Sequence, residues 1–106
     1  MSLDKDLQSI QEMRDLVQKA KQAQLEFRGY DQVRVDRIVK AMADAGYEAA
    51  ERLGRMAHEE TGFGNPEDKK KKNEFATRRV WESIKDLKTV GVINEDREKR
   101  IVEIAP

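Results

Sequence analysis

After Lys88 the spacing of the apolar residues changes from a helical period to a strand-like one, and that switch limits the fold more than any other feature of the sequence. Thr89-Val90-Gly91-Val92-Ile93 and Ile101-Val102-Glu103-Ile104 read as two strands around the polar loop 94–100. Everything upstream reads as helix. The expected fold is therefore mainly α, with three amphipathic helices in residues 1–88 followed by a β-hairpin in residues 89–106. A lone two-stranded ribbon is marginal in water. Val90, Val92, Ile93, Ile101 and Ile104 are accordingly candidate interface residues: either the strands pair with a second copy of the chain, most simply as a two-fold dimer, or residues 89–106 are left mobile. Because the sequence stops at Ala105-Pro106, directly after the second strand, it reads as interrupted.

The first helix is carried by Leu3, Leu7, Ile10, Val17, Ala20 and Phe27, which fall on one face, with Met13, Leu16 and Leu25 widening the stripe. Asp4 and Asp6 suit the positive end of its dipole, and Gly29 is placed for a left-handed cap. Asp31 can cap a second helix, in which Val35, Ile38, Val39, Met42, Ala49, Leu53 and Met56 keep helical spacing as far as Gly62. Its Gly46, Ala50 and Gly54 follow one another four residues apart. They form an edge flat enough for another helix to approach closely, and the two long helices are expected to pack closely there, with the third helix against them. Asn65-Pro66-Glu67-Asp68 starts a third helix, with Asn at the cap and Pro at the first position. On a wheel of about 100° per residue, Asn73, Ala76, Thr77, Val80, Ile84 and Leu87 share one face with Trp81 at its edge. Phe75 points nearly the other way, so it is either covered by another part of the protein or belongs to an interface.

The sequence has 106 residues, enough for one small domain and too few for a two-domain enzyme. Charged residues make up 40% and hydrophobic residues 38%, so the core is expected to be thin. The 21 basic and 21 acidic residues cancel, and no global field draws the chain to nucleic acid or to an anionic membrane. Lys69-Lys70-Lys71-Lys72 and the stripe Lys71, Arg78, Lys85 are the strongest local charge, but Glu67, Asp68, Glu74, Glu82 and Asp86 interleave with them, as on a solvated face. With no cysteine and a single histidine, the chain has no thiol nucleophile, no catalytic triad and no zinc set. His58-Glu59-Glu60-Thr61-Gly62 opens like a zinc-protease helix, but Gly62 stands where the second histidine is needed. Gly62-Phe63-Gly64 lacks the third glycine of a phosphate loop and follows no strand. Charges throughout the first fifteen residues exclude a signal peptide, and no apolar run approaches the span of a membrane, so the sequence reads as an intracellular chain without a membrane partner.

Three stretches resemble the CoA-acylating aldehyde dehydrogenases, from about Ser9 to Ile104. Glu60-Thr61-Gly62-Phe63-Gly64 is similar to the ETG-x-G loop of that family, and Asp68-Lys69-x-x-Lys72-Asn73-x-Phe75-Ala76 to its DK-x-x-KN-x-x-A helix start. Ile84-Lys85-Asp86-x-Lys88-Thr89-Val90-Gly91-Val92-Ile93 is similar to its entry into the first strands. The resemblance implies an incomplete piece of an α/β fold several times longer, with the hairpin as an oligomerisation arm or the start of a cofactor domain. It also implies a cytoplasmic parent enzyme that uses NAD(P) and CoA through residues outside the matched region. No catalytic, cofactor-binding or metal residue carries over to this chain, which is expected to be inactive alone. The alternative is a small helical module for interaction or self-association.

Overall fold

A computed structural model describes residues 4–105, so Leu3 of the first stripe and Pro106 lie outside the described residues. The chain divides after Asp31 into two compact units.

The first unit is built on α1, Lys5–Phe27, with Asp4 at its N-cap and Asp6 in its first turn. None of its residues is buried. It does not end in the expected left-handed glycine. Arg28 stays right-handed, Gly29 has no positive φ, and bonds from the Gly29 and Tyr30 N–H groups to the Glu26 and Phe27 carbonyls (3.2 and 3.0 Å) close the turn. Such i→i−3 bonds satisfy the last carbonyls without needing glycine's freedom. The Tyr30 hydroxyl donates to the Glu26 carboxylate at 2.8 Å, and its ring lies 5.8 Å from that of Phe27.

The second unit runs from Gln32 to Ala105. The expected long helix is two segments, α2 Gln32–Glu48 and α3 Ala50–Thr61. Ala49 leaves helical geometry (φ −88°, ψ 1°), yet its N–H still reaches Ala45 (3.1 Å) and its carbonyl still accepts from Leu53 (2.9 Å). At this joint the Asn73 side-chain amide donates to the Ala50 carbonyl at 3.1 Å. A side chain reaching into the backbone ladder is a known companion of helix breaks. Gly62, at φ +71°, caps α3.

Asn65 caps α4, Pro66–Glu74, as the sequence suggests: its side-chain oxygen accepts the Asp68 N–H at 2.8 Å. The small-residue edge then meets this helix. A Cβ on Gly54 would stand 3.0 Å from the Lys70 nitrogen, one on Gly46 would stand 2.7 Å from the Thr77 methyl, and Ala50 between them is 1% exposed. The close neighbour of that edge is thus α4 and its continuation. Ala50, Gly54 and Val35 are the buried residues among those described, a core as thin as the composition implies.

The third helix is interrupted too. Residues Phe75–Arg79 form a π-helical turn, after which α5 runs from Val80 to Ile84. The Thr77 hydroxyl donates back to the Asn73 and Glu74 carbonyls (2.8 and 3.2 Å), a competition with the ladder that bends helices. The wider turn rotates everything after it relative to a uniform wheel. Of the expected face and its edge, Asn73, Thr77 and Trp81 are half-buried, while Ala76, Val80, Ile84 and Leu87 are exposed.

The hairpin pairs β1, Gly91–Asp96, antiparallel with β2, Ile101–Ala105. Its loop is shorter than the expected 94–100, because Asn94, Glu95 and Asp96 pair with Glu103, Val102 and Ile101. The turn closes through the Lys99 N–H, which donates to the Asp96 carboxylate at 3.1 Å, and through Arg100 at φ +54°. The register shifts between Val92 and Asn94, leaving Ile93 as a bulge.

Candidate functional site

Directly paired residues of an antiparallel ladder share a face, and residues two apart along a strand share it too. Val92 lies opposite Ile104, and Val102, opposite Glu95, is two residues before Ile104. One face of the ribbon thus carries Val92, Val102 and Ile104, which are 54%, 51% and 67% exposed, together with the exposed Glu95. Ile101 pairs with Asp96 on the other face, and Val90 and Ile93 are half-buried. Of the residues singled out by sequence, then, the structure brings together Val92 and Ile104 and separates Ile101 from them. Val102 was missed, although the alternation leading to Ile104 points to it.

Phe75 opens the π turn with 63% of its surface exposed. It lines a shallow groove with Tyr47, Arg78 and Arg79, in which the Arg78 guanidinium lies 3.6 Å from the centre of the Tyr47 ring. The basic stripe is partly spent on such contacts. Lys85 and Lys40 place their ammonium groups 5.5 and 5.6 Å from the Trp81 ring, and Lys70 lies 3.7 Å from Glu51 and 4.0 Å from Glu74. A larger groove, about 580 Å³, runs beside Val33, Val39, Trp81, Ile84 and Leu87.

His58 is half-buried at the end of α3, and its Nδ1 lies 3.2 Å from the Phe63 carbonyl oxygen. Among the described residues no three of His, Cys, Asp and Glu are placed to hold a metal ion. A nucleotide pyrophosphate commonly sits on a helix N-terminus opened by a glycine turn. At α4 that place is filled: Asn65 takes the Asp68 N–H, Pro66 has none to give, and Glu67 and Asp68 add negative charge. These residues fit neither a dinucleotide nor the pyrophosphate of CoA. No described helix is long and apolar enough to cross a membrane.

No family model matches the chain. The acetylating succinate-semialdehyde dehydrogenase of Clostridium kluyveri is 41% identical over 93 residues, which are 88% of this chain and 20% of that enzyme. The bifunctional aldehyde-alcohol dehydrogenase of Escherichia coli is 41% identical over 88 residues, 83% of this chain and 10% of its own length. Among solved structures, an acetylating aldehyde dehydrogenase from Geobacillus thermoglucosidasius superposes with a TM-score of 0.81 at 52% identity, over 95% of this chain and 22% of that one. A probable aldehyde dehydrogenase from Listeria monocytogenes gives 0.80 at 54%, over 96% and 22%. The chain spans a fifth or less of the curated relatives just described.

Proposed function

We propose, from the premise that this chain is homologous over nearly all its described length to a segment of the acylating aldehyde dehydrogenases, that it forms the N-terminal helical and hairpin part of such an enzyme and holds none of its reacting groups. The observation that carries the reading is the match of 95% of this chain, at 52% identity, to only 22% of the Geobacillus enzyme. In this reading the oxidation of an aldehyde to an acyl-CoA, with NAD(P) as hydride acceptor, belongs to residues outside the chain. A thiolate nucleophile, which that chemistry needs, has to come from there, since the sequence has no cysteine. The chain contributes packing, and through the hairpin it contributes assembly with a second copy. The exposed apolar face of Val92, Val102 and Ile104 favours that second role. It equally serves the alternative of a self-associating module without a parent enzyme.

A chimera separates the two. The homologous segment of the Geobacillus enzyme is replaced by this chain, and CoA-dependent reduction of NAD with acetaldehyde is followed by absorbance. Activity within about tenfold of the unmodified enzyme is expected, with none for the 106-residue chain alone. A chimera that folds and assembles but is inert would overturn the enzyme reading, and activity of the chain alone would overturn the placement of the reacting groups.

A further inference from the structure

The hairpin leaves Val92, Val102 and Ile104 exposed on one face, and a two-stranded ribbon has little stability of its own. Something other than packing on that face holds its root. Gln32, the first residue of α2, has its side-chain amide against the two residues that precede β1. Its Oε1 accepts the Thr89 N–H at 2.8 Å and the Val90 N–H at 3.1 Å. Its Nε2 donates to the Thr89 hydroxyl at 2.9 Å and to the Asp36 carboxylate at 2.8 Å. An amide side chain offers two acceptor lone pairs and two donor hydrogens, and here all four are engaged. The arrangement also fixes which end is which, since a reversed amide would set its NH2 against two N–H donors.

The ladder of β1 begins at Gly91, one residue after Val90, so the Thr89 and Val90 N–H groups lie outside it and the Gln32 oxygen accepts both. We propose that Gln32 is the anchor of the hairpin: the order of residues 91–105 and their take-off from α2 depend on this one side-chain amide. Asp36, one helical turn on, holds the amide in the orientation that the anchor needs. The proposal concerns order within one chain and does not rest on the hairpin's role in assembly.

The test is amide hydrogen exchange on the full chain in a Val92→Lys background, which keeps the ribbon from pairing with a copy, with light scattering confirming one chain per particle. Gln32→Ala is expected to speed exchange across residues 89–105 by about tenfold or more while α3 and α4 exchange as before. Thr89→Val, which removes a single bond, should give a much smaller change. Gln32→Glu should fall between, because it keeps the acceptor but loses both donors and sets a second carboxylate beside Asp36. Hairpin exchange within twofold of the background in Gln32→Ala overturns the proposal, and so does equal acceleration in α3 and α4. If Gln32→Ala loses its helical signal, Gln32→Glu decides: a faster hairpin beside unchanged helices supports the anchor, and an unchanged hairpin overturns it.

Discussion

Gly54 shows at the scale of one residue what holds the second unit together. It costs its helix about 1 kcal/mol against alanine, yet a Cβ there would stand 3.0 Å from the Lys70 nitrogen and 3.2 Å from the Lys69 carbonyl carbon. Backbone cannot step aside as a flexible side chain can. Gly54→Ala should therefore lower stability by about 1 to 3 kcal/mol from overpacking, less the propensity gain, with a fall in the thermal midpoint by circular dichroism. An unchanged or raised midpoint would show that α4 moves away freely. Gly46 faces the Thr77 methyl, so a Gly46→Ala, Thr77→Ser pair should cost less than Gly46→Ala alone. Asn65→Ala should cost about 1 kcal/mol through loss of the cap. The small-residue spacing and the Asn-Pro start were both legible because each is a local rule. That the third helix packs against the second was expected, but that it, rather than the first helix, meets the small-residue edge itself was not, since spacing within one helix names no partner. Gly29 misled for a related reason: a glycine permits a left-handed cap without requiring one, and the i→i−3 bonds at Glu26 and Phe27 close α1 without it.

Elements were legible where their period was uniform and lost where it changed. The wheel for the third helix assumed a constant turn, so it could not foresee the π turn at Phe75–Arg79, and every face assigned after Phe75 was rotated. In the hairpin, Asn94-Glu95-Asp96 has the composition of a loop but pairs as strand, because polar side chains on an exposed ladder pay no desolvation cost. The bulge at Ile93 then decides which apolar residues act together. Val92→Lys and Ile104→Lys place charge on the same face, whereas Ile101→Lys places it beside Asp96 on the other. If copies associate through the apolar face, either of the first two should shift a concentration-dependent mass to that of a single chain. Ile101→Lys should leave it nearly unchanged. Sedimentation equilibrium reads the difference, and equal effects of all three would show that association does not use one face.

At the scale of the whole molecule, balanced charge and a thin core leave stability concentrated in a small region. Buried residues occur at Val35, Ala50 and Gly54, and none occurs in the 23 residues of α1. An amphipathic helix draws most of its stability from packing its apolar face rather than from propensity. In α1 the residues of that face, Leu7, Ile10, Met13 and Val17, are exposed. Opening of α1 should therefore cost much less than opening of α3 and α4, where Asn73 and the small-residue edge lock two helices together. In hydrogen exchange at equal pH, amides of residues 8–27 should be lost at least about a hundredfold faster than those of residues 50–58. The ratio is informative about assembly as well. In the chimera with the remainder of an acylating aldehyde dehydrogenase, slowing of α1 toward the rate of α3 would mean that the larger enzyme covers the stripe. An α1 that stays fast in the chimera would place its apolar face outside the enzyme, and one already slow in the lone chain would contradict its exposure here.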